Sequence, residues 1–176
     1  LNALNGGKPL PAQAVLVTVD DGYCDFKETI FPITQKYGIY PVLFVPTAYV
    51  GNGIFWWDRL FNAITNTNLP QIDTFFGQFS LEGKEAKHIV FDALANHVRM
   101  QPFEKALAEI EQLCDSLTPD GNQNISYTLN WDELRILSEV GVTIAPHTHT
   151  HPILSHIPIE KARDEVRVSI DLIKQQ

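Results

Sequence analysis

The chain lacks the marks of a membrane, nucleic-acid-binding or signal-bearing protein. Its 13 Lys and Arg stand against 21 Asp and Glu, a net charge of −8. Such a surface repels phosphate backbones and anionic lipid, which excludes nucleic acid as a partner. No apolar run approaches the roughly 20 residues of a membrane-spanning helix. The first residues lack the basic and apolar segments of a signal peptide, and the chain opens on Leu1 instead of Met, as expected of a piece of a longer protein, which leaves room for a targeting segment upstream. Internal repeats and low-complexity stretches are absent. Only Cys24 and Cys114 carry thiols; they can pair, stay free or be buried, and they do not fix the compartment. What remains is an ordinary globular composition, 44% apolar and 19% charged over 176 residues, sufficient for one core.

The run Val15–Val19 is apolar and β-branched without alternation, which predicts a parallel strand covered on both faces. Asp25 and Glu28 have the spacing of a helix start, with Pro32 forcing a kink or restart before Gly38 ends the helix. A second strand follows at Pro41–Val45, completing a βαβ unit with parallel strands. From Gly51 to Thr128 the pattern is mostly helical. One stripe carries Trp57, Leu60, Phe61 and Ile64, another Ile89, Val90, Ala93 and Leu94, and a third helix starts at Pro102 and runs through Phe103, Leu107, Ile110 and Cys114. Residues Gln71–Phe79 read as a short hairpin. Asn130 and Glu133 form a capping-box signature with Leu129 poised to staple onto Leu134, and Gly141 closes that helix. Val142–Ala145 predicts a third strand, and a last helix from Pro158 turns Ile159, Ala162, Val166, Ile170 and Ile173 inward.

Two polar clusters, Asp20-Asp21 and His147 to His151, fall at the carboxyl ends of predicted parallel strands, where α/β folds place their sites. Alone, Asp-Asp-Gly is more often a turn, and a histidine cluster is as often a loop as a ligand set. Their shared location favours a site. Carboxylate and imidazole together suit zinc and related divalent ions. An extended strand would put residues 147 and 151 about 13 Å apart, too far for ligands about 2.1 Å from one ion, so the chain must bend. A turn or single helical turn brings His147 and His151 together and sends His149 elsewhere, with Thr148 holding the bend. Asp21 as ligand stays ionised, while Asp20 reaches the bound water and takes its proton. His88, His97 and His156 read as helix-surface or loop residues, Trp57 as core, and the charges from Glu160 to Arg167 as a solvated face.

Thr18-Val19-Asp20-Asp21-Gly22-Tyr23 and His147-Thr148-His149-Thr150-His151-Pro152 resemble the two leading motifs of the polysaccharide deacetylases, carbohydrate esterase family four, also called the NodB homology domain. Tyr40 to Pro46 and Trp131-Asp132-Glu133-Leu134 are similar as well. The resemblance implies Asp20 as catalytic base and Asp21, His147 and His151 as metal ligands, with Val19 where the family usually has Phe. It implies an α/β fold, the distorted (β/α)₇ barrel, represented here by its N-terminal part within one domain over 1–176, with a helical insertion over about 51–128. The family's later motifs, including the acid that protonates the leaving amine, are expected beyond residue 176, so the 176-residue form is expected to be an open barrel and inactive.

The implied activity is hydrolysis of N-acetyl groups on amino sugars of a polysaccharide through a metal-bound water, the ion being Zn²⁺ with Co²⁺, Ni²⁺ or Mn²⁺ as substitutes. The partner is an N-acetylated polysaccharide or oligosaccharide, and the family setting is the cell envelope or the exterior. Three alternatives stand beside it: an O-acetyl esterase on xylan-like chains, a metal-independent hydrolase of small cyclic amides, and a carbohydrate-binding pseudoenzyme. The sequence does not fix the oligomeric state.

Overall fold

Chain order in the computed structural model begins with Thr18–Val19 (β1), a π-helical turn over Phe26–Ile30, Phe31–Lys36 (α1) and Val42–Val45 (β2). Trp56–Asn66 (α2), Gln71–Thr74 (β3), Gly77–Ser80 (β4), Gly83–Met100 (α3) and Phe103–Leu117 (α4) follow. Trp131–Glu139 (α5), Thr143–Pro146 (β5) and Ile159–Lys174 (α6) complete it. The structure describes residues 6–51, 53–117 and 127–176, so positions 52 and 118–126 of the 51–128 segment lie outside the described residues.

β1, β2 and β5 form a parallel sheet in the order β1-β2-β5, with Thr18 opposite Val42 and Val42 opposite Thr143. Only β2 has a neighbour on each side, and no strand of this sheet is buried on both faces: in β2 Leu43 and Val45 are buried on one face while Val42 and Phe44 on the other are half-buried. The first strand is shorter than its apolar run predicts. Because β2 begins at Val42, after Pro41, the residues before β1 find little strand to pair with, and Val15 and Leu16 are 87% and 70% exposed. Val42 N–H still donates to Val17 O at 3.0 Å.

The helix expected from Asp25 starts without a side-chain cap. Its first turn is widened, Phe31 N–H bonding back to Phe26 O, and α1 then restarts with Pro32 in its first turn. The wide turn suits a proline that has no N–H to give and whose ring would clash with a regular preceding turn. Gly38, at φ +68°, ends the helix as predicted.

The middle of the chain builds its own core from α2, the antiparallel β3–β4 hairpin, α3 and α4, with Leu60, Ile64, Val90, Leu94, Val98 and Ile110 fully or nearly fully buried. The predicted stripes are rotated. Phe61 is 39% and Ile89 59% exposed, while Ala63 and Ala95 are buried in their place. Small residues let the axes of α2, α3 and α4 approach, so a stripe read from large side chains alone lands off the contact line. His97 is likewise no plain surface residue: Nε2 lies 3.0 Å from Glu109 Oε2 and the ring packs on Phe75 and Phe76 of the hairpin tip.

A second core lies under the parallel sheet, where Phe26, Leu43, Val45, Leu129, Leu134 and Leu137 meet. The capping box forms in full: Asn130 Oδ1 accepts from Glu133 N–H and Glu133 Oε2 from Asn130 N–H, at 3.0 and 2.9 Å. Cys24 packs beside this core and Cys114 inside the other, which separates the two thiols. α6 is also rotated from its reading. Ile159 and Val166 are 66% and 41% exposed, and Ser169 is fully buried. No helix among the described residues is long and apolar enough to cross a membrane.

The rotation of α3 is testable by stability. Leu94→Ala, at a fully buried position, is expected to cost about 2–5 kcal/mol, and Ile89→Ala, at an exposed one, about 0.5 kcal/mol or less. Denaturant unfolding of both variants measures this, and equal losses would reject the packing described.

Candidate metal centre

Asp21 leaves β1 at φ +74° and Gly22 follows at +69°, two left-handed residues that fold the chain over the end of the sheet. A Cβ on Gly22 would stand 2.9 Å from Val45 Cγ1, so this turn needs glycine for both backbone and space. The turn is pinned by Leu129 N–H to Gly22 O and Cys24 N–H to Tyr127 O, each 2.8 Å.

The β2–β5 ladder continues to His147, whose N–H donates to Val45 O at 3.0 Å. The chain then bends through Thr148 and His151, at φ +66° and +57°, with His151 N–H donating to Thr148 Oγ1 at 3.2 Å. This is an irregular bend, not a helical turn, but it achieves the convergence that the spacing requires. The two imidazoles lie 4.9 Å apart between ring centroids.

Asp21 Oδ1 is 3.2 Å from His151 Nε2 and 3.6 Å from His147 Nε2, and one ligand atom from each residue lies within 4.8 Å of the others. Two ligands about 2.1 Å from one ion at a tetrahedral angle stand about 3.4 Å apart. The three side chains can therefore hold one divalent ion. Asp21 Oδ1 is also buried without a hydrogen-bond partner among the described residues. An unpaired buried carboxylate oxygen is costly, and a cation placed between it and the two imidazole nitrogens removes the cost. The donor set and the orphaned oxygen both fit a metal.

Asp20 is exposed and stands outside this group. His149 points away as expected, its Nδ1 2.9 Å from Thr47 Oγ1.

The carboxylate of Glu165 on α6 accepts from His149 N–H at 2.8 Å, Thr150 N–H at 2.7 Å and Thr150 Oγ1 at 2.7 Å. It satisfies the backbone of the bend between the two histidines, so it is not part of a solvated face. Its sequence signal is faint: Ala162, Glu165 and Ser169 share one helical face, and a stripe of small and polar residues does not register as apolar.

An aromatic wall flanks the cluster. Phe55 is fully buried between Tyr49 and Trp57, each at 4.4 Å between ring centroids, and Trp57 meets His151 edge-on at 5.2 Å. Trp57 Nε1 donates to Tyr23 Oη at 2.8 Å, and Tyr23 Oη donates to Asp58 Oδ2 at 2.7 Å. Burial, reinforced by Asp58, raises the Tyr23 phenol above its ordinary pKa and keeps it protonated as a donor. Burial also raises the Asp58 carboxyl, although the bond from Tyr23 opposes this. Trp57 is thus part of the site wall and not of either core. Trp56 is the one that packs against the helical core.

A parallel sheet that brings a carboxylate and two imidazoles together at its strand ends offers a candidate three-residue metal site. The chain belongs to the polysaccharide deacetylase family, whose model matches residues 7–176. Among curated proteins it is similar to the poly-β-1,6-N-acetyl-D-glucosamine N-deacetylases of Escherichia coli strain K12 and of Escherichia coli O157:H7. Each is 48% identical over 44 residues, a stretch that covers 25% of this chain and 6% of the relative. No solved structure matches.

Removing Glu165 should loosen the bend that carries both histidines. Glu165→Ala is expected to weaken zinc binding about 10–100-fold, the usual effect of losing a group that orients metal ligands. Competition titration against a chelating dye measures it, and unchanged affinity would show that the bend holds without α6.

Proposed function

We propose that this chain carries the metal site and base of a hydrolase that removes N-acetyl groups from amino sugars of a polysaccharide. The observation that carries this reading is the convergence of Asp21, His147 and His151 around an unsatisfied buried carboxylate oxygen, with a second carboxylate, Asp20, next in the chain yet outside the group. Family membership supports the reaction class. The name of the Escherichia coli relatives supports the amide over the ester and N-acetylglucosamine as the acetylated sugar.

Asp21, His147 and His151 hold the ion, for which zinc is the first candidate. When bound, the ion supplies a Lewis acid for the acetamide carbonyl and favours ionisation of water at the site. Asp20 takes the proton from the attacking water, a role open to it because it is not engaged as a ligand. Thr148 and Glu165 keep the histidine bend in place, and Trp57, fixed by Tyr23, limits how a sugar approaches His151. The group that protonates the leaving amine is assigned to none of the described residues. We take 1–176 as one domain with an insertion over about 51–128, and its parallel sheet as the N-terminal part of a distorted (β/α)₇ barrel. The substrate class implies action at the cell envelope or outside the cell.

The two neighbouring carboxylates separate in the test. Asp20→Asn is expected to retain metal and lose about 10²–10⁴ in rate. Asp21→Ala is expected to lose metal affinity, with partial recovery of activity in excess metal. Metal content and acetate release of each variant, made in the full-length protein, decide the assignment. Metal loss in Asp20→Asn with retention in Asp21→Ala would reverse the roles, and unchanged acetate release in both would place the reaction elsewhere.

A further inference from the structure

The metal cluster does not face open solvent alone. A cleft of about 370 Å³ has Asp21 and His151 among its lining residues, together with Trp56 and Trp57 of α2. Its far side comes from the two long helices of the middle segment, through Phe91 and Arg99 of α3 and Phe103 of α4. These helices have their own core and could have packed without approaching the cluster. Their placement makes one wall of a cleft that touches two of the three candidate ligand side chains.

Arg99 is the informative residue in that wall. Of the five arginines, Arg59, Arg135, Arg163 and Arg167 each contact a carboxylate, of Asp115, Asp132, Glu160 and Asp164 respectively. Arg99 has none among the described residues, and its Nη1 donates only to the neutral Asn96 Oδ1 at 3.0 Å. In a chain of net charge −8, Arg99 is an exposed guanidinium that lines an aromatic cleft and has no carboxylate within ion-pair distance among the described residues. Screening confines the surrounding negative charge to about 8 Å at physiological ionic strength, so a group in the cleft senses Arg99 and Asp21, the charged residues of its lining, more than the distant surface. Guanidinium pairs carboxylates through two parallel hydrogen bonds, and indole and phenyl faces suit the apolar faces of a sugar ring.

We propose that the α2–α3–α4 wall is a substrate subsite, and that Arg99 pairs there with the carboxylate of an acidic sugar adjoining the N-acetylated one. This rests on the deacetylase reading and narrows it to acidic, N-acetylated glycans. A plainer role for Arg99 also exists: it lies in the last turn of α3, where a cation favours the helix dipole. That role affects stability and not the choice of ligand.

The test is direct binding of two oligosaccharides of equal length to the zinc-loaded protein, followed by calorimetry or NMR titration. One is a neutral oligomer of N-acetylglucosamine, and the other alternates N-acetylglucosamine with glucuronic acid. The acidic oligomer is expected to bind more tightly, and Arg99→Gln to weaken it about 10-fold, as the loss of a charge-assisted pair does, while neutral binding shifts less than about 2-fold. Arg99→Lys, which keeps the charge but not the planar fork, should fall between. Equal binding of the two oligomers, or an Arg99→Gln loss that is the same for both, would overturn the proposal. Acetate release is read in parallel in the full-length protein: Arg99-dependent binding of the acidic oligomer without release from either would uphold the subsite and refute the deacetylase reading.

Discussion

The structure turns on one carboxylate oxygen. Asp21 Oδ1 is buried, lacks a hydrogen-bond partner among the described residues, and faces two imidazole nitrogens at 3.2 and 3.6 Å. Such an arrangement is costly unless another interaction offsets it, and a divalent cation is a species whose charge and ligand spacing fit. The features around it follow from this requirement. The left-handed backbone at Asp21 and Gly22 aims the carboxylate inward, and the contact that a side chain at Gly22 would make with Val45 fixes which residue can follow it. The parallel sheet supplies the register that sets this turn beside His147, since β2 pairs with both β1 and β5.

The shell that holds the ligands is polar on one side and aromatic on the other. Glu165 satisfies two backbone N–H groups and a hydroxyl in the bend between the histidines. Three bonds to one carboxylate are better suited to fixing a loop than an apolar contact, because they define direction as well as distance. On the opposite side Phe55, Trp57 and Tyr23 form a packed set against His151, tied to Asp58 through the Tyr23 hydroxyl. Raised pKa values at Tyr23 and Asp58 reflect burial first, which fits a structural link that excludes water from one edge of the cluster. The two cores serve the two sides: one sits under the sheet, and the other carries the helices that wall the cleft.

Much of this was legible in the chain itself. The grouping of Asp21, His147 and His151 could be read because the first two lie where strands end, and because the distance argument between residues 147 and 151 demands a bend whatever its shape. The capping box at Asn130 and Glu133, the hairpin read over Gln71–Phe79 and found to extend to Ser80, and the helix end at Gly38 are local signals decided within a few residues. Where reading failed, the cause was tertiary. The length of β1 is set by where β2 begins, the faces of α3 and α6 by small residues that permit close approach, and the role of Glu165 by a loop 15 residues away. Trp57 belongs to the site wall because Phe55 and Tyr23 hold it there, and helical periodicity has no term for that. The sequence by itself determined which atoms can bind a metal, since that is a matter of residue chemistry at strand ends. Only the tertiary structure decided which backbone holds those atoms, which oxygen is left unsatisfied and which helices face it, since these depend on contacts between segments that the chain order does not bring together.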